Sequence, residues 1–345
     1  MKIKNVKLNN YTVFENLSVE FNDGINVFIG ENATGKTHLL KLIYSACRSN
    51  RADTDFAYKL VRTMMPDGYR IARLITRSQG NHQAKIQVCA ASDEDKSEKN
   101  LSVSFSNKTK KWESEKKGKE SWEKSFADNS SIFIPAKEIL SHSYKLAAAT
   151  SVDNVRFDDT YIDIINSAKI DIAMGKNPIA RASLLERIEK MTNGKVVYDA
   201  EKDEFYLKKG SSKQEFNVIA EGVKKMGLLW LLAKNGTLEK GSILFWDEPE
   251  ANINPSFIGT IAELLLELQR SGVQLFISTH SYFLAKYFDI KKIDGDKVEF
   301  YSLYRTKANR GVQCESSSDF TLLENNPIVQ TYLQIYRDEL GVAIK

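Results

Sequence analysis

Ile25-Asn26-Val27-Phe28-Ile29-Gly30-Glu31-Asn32-Ala33-Thr34-Gly35-Lys36-Thr37-His38-Leu39-Leu40 joins an apolar β-type run, a glycine-bounded loop and the start of a helical pattern. Residues Gly30 to Thr37 match G-x-x-x-x-G-K-[ST]. Between a strand and a helix, that pattern wraps backbone N–H groups around phosphate oxygens. A helix opening near Gly35 adds the positive end of its dipole. Lys36 is expected to reach β- and γ-phosphates, and the Thr37 hydroxyl to ligate Mg²⁺. Glu31, Asn32, Ala33, Thr34 and His38 complete the expected nucleotide contacts. A glycine-rich turn with a surface lysine is the bland alternative, and the flanking strand and helix patterns argue against it.

Working outward, Lys2–Leu8 and Leu17–Phe21 alternate like strands, and Asn22-Asp23-Gly24 signals a turn before Ile25. Downstream, Ile243-Leu244-Phe245-Trp246-Asp247-Glu248 is an apolar strand ending in two carboxylates. Such a strand delivers its last side chains to the rim where α/β folds bind ligands. Asp247 is expected to hold Mg²⁺, and Glu248 to orient or deprotonate an attacking water. Asp-Glu-Pro can also simply open a helix. One strand later, Leu275–Ser278 runs into Thr279-His280. His280 could donate to a γ-phosphate oxygen there, or be a loop histidine with no task. The amphipathic segment from about 255 to 271 separates these two strands, and Val223–Ala233 forms an apolar helix before them.

The middle of the chain differs in texture. Tyr69–Thr76 and Ala84–Ala90 read as two strands, followed by a Lys/Glu/Ser-rich stretch to about 127, expected as a solvent-facing β excursion with a mobile tip. Lys108–Lys124 carries seven lysines, four glutamates, Trp112 and Trp122. Three readings stand: a solvated hairpin, a protein-docking tip, or a nucleic-acid contact. Ser131–Pro135 is a short buried-type strand; Lys137 or Glu138 could couple a site to the helical pattern of 157–192, or lie in an ordinary loop. Lys195–Tyr198 and Glu204–Leu207 read as a hairpin, with a strand near 298–304 and a helix over 327–339 closing the chain. The expected division is 1–50 with 195–345 as the head, 51–130 as the inserted excursion, and 131–194 as strand plus helical lobe. Strands alternating with helices predict an α/β fold with a mixed sheet flanked by helices.

Taken together, the three motifs resemble the head of ATP-binding-cassette (ABC) ATPases. The likeness is to the soluble branch: chromosome-maintenance (SMC) and double-strand-break repair heads, and the "overcoming lysogenisation defect" (OLD) ATPases. Asp247-Glu248-Pro249-Glu250-Ala251-Asn252-Ile253-Asn254-Pro255 is similar to the acidic motif of the OLD-like group, with Asn254 where a histidine often stands. The resemblance spans 1–45 and about 215–285. It implies a signature motif at Ile219–Lys225, with Ala220, Glu221 and Gly222 facing a nucleotide. Ala220 replaces the family's serine, so one hydroxyl donor is missing and slow turnover is expected. The resemblance further implies ATP and Mg²⁺ as ligands, catalytic roles for Lys36, Glu248 and His280, and metal-holding roles for Thr37 and Asp247. It also implies a homodimer or larger homo-oligomer in which two copies sandwich two nucleotides.

Lys+Arg exceeds Asp+Glu by 49 − 45 = 4, a weak balance compatible with nucleic acid but no argument for it. No apolar run approaches the roughly 20 residues of a membrane span, and no signal-like core opens the chain. Cys47, Cys89 and Cys314 lie far apart, which suits a reducing cytoplasm. The last 65 residues are too few for the nuclease that OLD proteins carry at their C-terminus, and the resemblance to head-only OLD-like ATPases of anti-phage systems implies control of a separate effector protein, a toxin or nuclease. A DNA-clamping repair ATPase and a nucleotide-binding scaffold with little turnover are the rivals.

Overall fold

The computed structural model describes residues 1–77, 80–92, 96–146, 156–171, 179–306 and 311–343. Its strands are β1 (Lys2–Tyr11), β2 (Phe14–Glu20), β3 (Ile25–Gly30), β4 (Gln83–Ala91), β5 (Glu98–Ser106), β6 (Glu115–Lys117) and β7 (Ser131–Ile134). There follow β8 (Lys195–Asp199), β9 (Glu204–Lys209), β10 (Ser212–Glu215), β11 (Ile243–Asp247), β12 (Gln274–Ser278), β13 (Val298–Tyr304) and β14 (Gln313–Ser317).

Six strands form the central sheet in the order β14-β13-β3-β12-β11-β7. All its neighbours are parallel except the edge pair β13–β14. Parallel strands covered on both faces are apolar on both, which is why the middles of β3, β7, β11 and β12 are hydrophobic, the buried Asn26 of β3 being satisfied by a bond to Leu275 O at 3.2 Å. Side chains alternate between two cores. Ile25, Val27, Ile29, Leu244, Trp246, Leu275 and Ile277 face helices Glu221–Lys234, Ile258–Arg270 and Tyr282–Lys291. Phe28, Phe133, Phe245, Phe276 and Tyr301 face the other way, with ring centroids 5.0–6.4 Å apart in a stacked row. Each such aromatic contact adds about 0.5–1.5 kcal/mol beyond its burial.

Against that row lies the helix Lys36–Arg48, burying Leu39, Leu40, Leu42 and Ile43. An antiparallel sheet, β2-β1-β4-β5-β6, covers its far side. The phosphate-loop helix is therefore clamped between two sheets, and its N-terminus is fixed at their rim. A third sheet, β10-β9-β8, holds the expected hairpin.

Two expectations need correction. Tyr69–Thr76 is not a strand: it consists of short 3₁₀ turns, Asp67–Tyr69 and Ile71–Leu74, with one bridge from Ile75 to Tyr11. Gly68 turns the chain at φ +62°, and Ile71 and Leu74, three residues apart, stack on one face as the 3₁₀ repeat requires. Second, the stretch 91–127 is largely structural. β5 pairs with β4, which pairs with β1, and their inward residues Ile86, Val88, Leu101 and Val103 are fully buried. Residues 93–95 of the expected tip lie outside the described residues. The helix Lys119–Phe126 sinks Trp122 into the core, where its Nε1 donates to Ala46 O at 3.1 Å. Trp122 therefore serves neither a docking tip nor base stacking. Trp112, half-buried, packs edge-on against Tyr58.

The helical lobe is tied to the phosphate-loop helix by charge. Lys41 meets Asp158 at 2.8 Å, and Tyr44 Oη donates to Asp163 at 2.5 Å. Lys59 bridges Asp159 at 2.8 Å and Asp163 at 2.7 Å.

Candidate functional site

Three parallel strands end at one rim. The register sets Asp247 beside Ser278 and Ser278 beside Phe28, so β11, β12 and β3 deliver their C-terminal residues side by side. Gly30 leaves β3 at φ +144°, where a Cβ would lie 2.3 Å from Leu303 O; only glycine passes there. Ala33 (φ +62°) and Gly35 (φ +93°) bend the backbone inward again, the alternation that makes an anion-facing nest. Gly35 precedes the helix without a side-chain cap, so the first helical N–H groups face the loop's interior. Arg305 Nη2 braces the loop by donating to Ala33 O at 3.1 Å.

Lys36 is only 7% exposed and donates to Gly30 O at 2.8 Å and Glu31 O at 2.9 Å. Burial pulls its pKa down to about 8, partly offset by the nearby Asp247 and Glu248 carboxylates. Thr37 Oγ1 donates to Asp247 Oδ2 at 3.0 Å, across 210 residues of sequence. Ser278 Oγ donates to Asp247 Oδ1. Among the described residues no cluster of three or more acidic, His or Cys side chains forms a closed cage. One hydroxyl and one carboxylate side by side suit Mg²⁺, which keeps waters and phosphate oxygens in its remaining positions.

Glu248 adopts φ +49°, a conformation costing a non-glycine residue on the order of 1 kcal/mol. Its N–H donates to Ser278 O at 3.0 Å, and its Oε1 lies 4.0 Å from His280 Nε2. Both side chains are about 40% exposed, so they line an open cleft rather than the core. Burial and then Lys36 lower the His280 pKa, which keeps the ring neutral and one nitrogen available as a donor. Glu250 accepts from Thr279 Oγ1 at 2.6 Å and from His280 N at 3.0 Å, tying the histidine loop to the acidic turn. Burial raises the Glu250 pKa.

The structure thus brings Gly30–Thr37, Asp247, Glu248 and His280 together. His38 follows in the first helical turn, with a buried Nδ1 that has no hydrogen-bond partner among the described residues. Ala220 caps the helix Glu221–Lys234 without a side-chain bond; Glu221 contacts Asn252, and Gly222 packs on Asn252 O. Among the described residues no hydrogen bond or ion pair ties Ala220–Gly222 to the phosphate loop. Sequence reasoning missed Ser278, Arg305, Lys225 and the carboxylate of Glu250. Ser278 had a signal, as the last residue of a rim-directed strand; Arg305 had none.

A phosphate nest at a helix N-terminus, facing a metal-ready aspartate and the glutamate that follows it at the end of β11, defines the fold of an ABC-type P-loop head. Solved structures share the fold. An SMC head bound to the C-winged helix domain of ScpA aligns with TM-score 0.60 and 13% identity over 92% of this chain and 98% of that one. An SMC head from Pyrococcus furiosus, with an extended coiled coil and bound to the C-terminal domain of ScpA, aligns with TM-score 0.53 and 10% identity over 98% and 99%. The DNA replication and repair protein RecF of Clostridium novyi is 49% identical over 90 residues, 26% of this chain and 24% of that protein. RecF of Latilactobacillus sakei is 40% identical over 82 residues, 23% and 21%. The chain spans no more than about a quarter of the length of these curated relatives. Residues 25–286 match the family described as "AAA domain, putative AbiEii toxin, Type IV TA system", and the chain belongs to that family. Among the described residues no helix is long and apolar enough to cross a membrane.

Proposed function

We propose that the chain binds ATP at Gly30–Thr37 and hydrolyses it slowly, acting as a nucleotide-gated homo-oligomer that controls a separate effector protein. The observation that carries the nucleotide chemistry is the Thr37–Asp247 contact, which closes the phosphate loop onto the acidic strand. Lys36, released from the Gly30 and Glu31 carbonyls, neutralises the β- and γ-phosphates. Thr37 and Asp247 hold Mg²⁺, which when bound supplies charge neutralisation to the phosphate oxygens. Glu248 orients a water and takes its proton, and neutral His280 donates to the γ-phosphate. Electrostatics of this kind act most strongly where the solvent is excluded, and both side chains here remain partly exposed. That exposure supports a site completed by a second copy, whose Ala220–Gly222 helix end would cap the nucleotide. Missing a serine at Ala220, the cap would turn over slowly. The test is single-turnover hydrolysis by wild type and Glu248→Gln, with oligomer mass measured in ATP. Equal rates would refute glutamate-driven chemistry, and a strictly monomeric ATP-bound Glu248→Gln would refute the gated oligomer.

The effector reading, as an anti-phage toxin or nuclease controller, rests on the OLD-like motif at Asp247–Pro255. A second reading, a repair ATPase that clamps DNA, draws support from the similarity to RecF. Affinity purification from the native host with ATP separates them: a single co-eluting toxic protein or nuclease supports the first. DNA-stimulated, salt-sensitive ATPase activity supports the second.

A further inference from the structure

The main chain of Glu248 sits in the left-handed region, so contacts outside the turn must hold it there. On its amide side, β12 accepts from it. On its carbonyl side stands Lys225, one turn into the helix Glu221–Lys234, whose Nζ donates to Glu248 O at 3.2 Å and to Ala251 O at 2.9 Å. Lys225 is 2% exposed. Both of its hydrogen-bond acceptors among the described residues are main-chain carbonyls. Burial lowers the Lys225 pKa, offset in part by the charges of Glu250 and Glu248, and an apolar side chain would fill the same volume without that cost. Its amino group is explained by the turn that it spans: two carbonyls of the 248–251 turn converge on one donor.

The same helix touches that turn twice more. A Cβ on Gly222 would lie 2.9 Å from Asn252 O, and Glu221 accepts from Asn252 Nδ2. Helix start and acidic turn are therefore locked as one body.

We infer that Lys225 is a positioning residue for ATP hydrolysis: it fixes the backbone of Glu248 to the helix Glu221–Lys234, so that displacement of that helix moves the glutamate into or out of line. This rests on the ATPase reading above. Lys225 acts through the main chain of Glu248, to which its Nζ donates.

The test is a double-mutant cycle on the full chain. Lys225→Met, which keeps the volume and removes the donor, is expected to lower kcat at least about 30-fold while directly titrated ATP affinity and KM stay within about threefold. In the Glu248→Gln background the same substitution is expected to cost less than about threefold, because the group it positions is already gone. Lys225→Gln, which is too short to span both carbonyls, is expected to repeat the pattern and carries the test should Lys225→Met not fold. Full additivity with Glu248→Gln, or equal losses in kcat and ATP affinity, overturns the inference. Wild-type turnover that depends on Glu248 together with a neutral Lys225→Met overturns it alone. Absence of Glu248-dependent turnover in wild type overturns the ATPase reading and this inference with it.

Discussion

Lys36 offers a quantitative test that needs no ligand. Its amine is buried among backbone carbonyls, and its pKa falls from 10.5 to about 8. Between those values the folded protein binds fewer protons than the unfolded chain, so this group's contribution to stability rises with pH. Below about pH 8 the full cost of burying the charge is present. The 2.5-unit drop, 10.5 minus about 8, corresponds to about 3 kcal/mol. Integrating the linkage from pH 7 to 9.5 recovers about 2 kcal/mol of it. Only 7% of the residue is exposed, so solvent screening removes little. Replacing Lys36 with methionine removes the titration and keeps most of the volume. Urea denaturation of wild type and Lys36→Met at several pH values isolates the effect, because every other titrating group is common to both. The stability difference, variant minus wild type, is expected to shrink by about 2 kcal/mol over that range. A difference that stays constant, or grows with pH, would refute the argument that burial dominates the charge of this lysine.

Other outcomes follow from packing. Trp122→Ala should destabilise the protein by about 3–5 kcal/mol, since it empties a wholly buried site and strands the carbonyl of Ala46; denaturant midpoints read this, and a loss under about 1 kcal/mol would contradict a core role. Gly30→Ala should abolish ATP binding in calorimetry, because its Cβ would sit 2.3 Å from Leu303 O and force the loop open; unchanged binding would mean the loop does not need that path.

Much of the architecture is readable from residues alone because burial on both faces leaves a plain mark. Ile243–Trp246 and Leu275–Ile277 are apolar without alternation, as is Ile25–Ile29 but for Asn26, and each lies in a central strand. Their ends carry the motif residues, so the rim was legible too. Tyr69–Thr76 misled because its apolar residues suit either a strand or a 3₁₀ repeat, and the choice is made by tertiary contacts of Ile71 and Leu74. Lys108–Lys124 misled through its charge: seven lysines hide most of the eight-residue helix Lys119–Phe126, whose inward Trp122 and Phe126 decide its place. Lys225 and Glu250 were visible as letters but not as contacts, since each acts on a loop more than twenty residues away in the chain. No periodicity records such a partner.

The central claim is that main-chain amides of the loop and one lysine grip the triphosphate, opposite a carboxylate pair that manages metal and water. Equilibrium binding of ATP with Mg²⁺ to wild type and Lys36→Ala tests it most directly. Loss of one or two charge-assisted hydrogen bonds should weaken affinity on the order of 100-fold, with ADP affected less than ATP. Equal ATP affinity for the two proteins would contradict the claim.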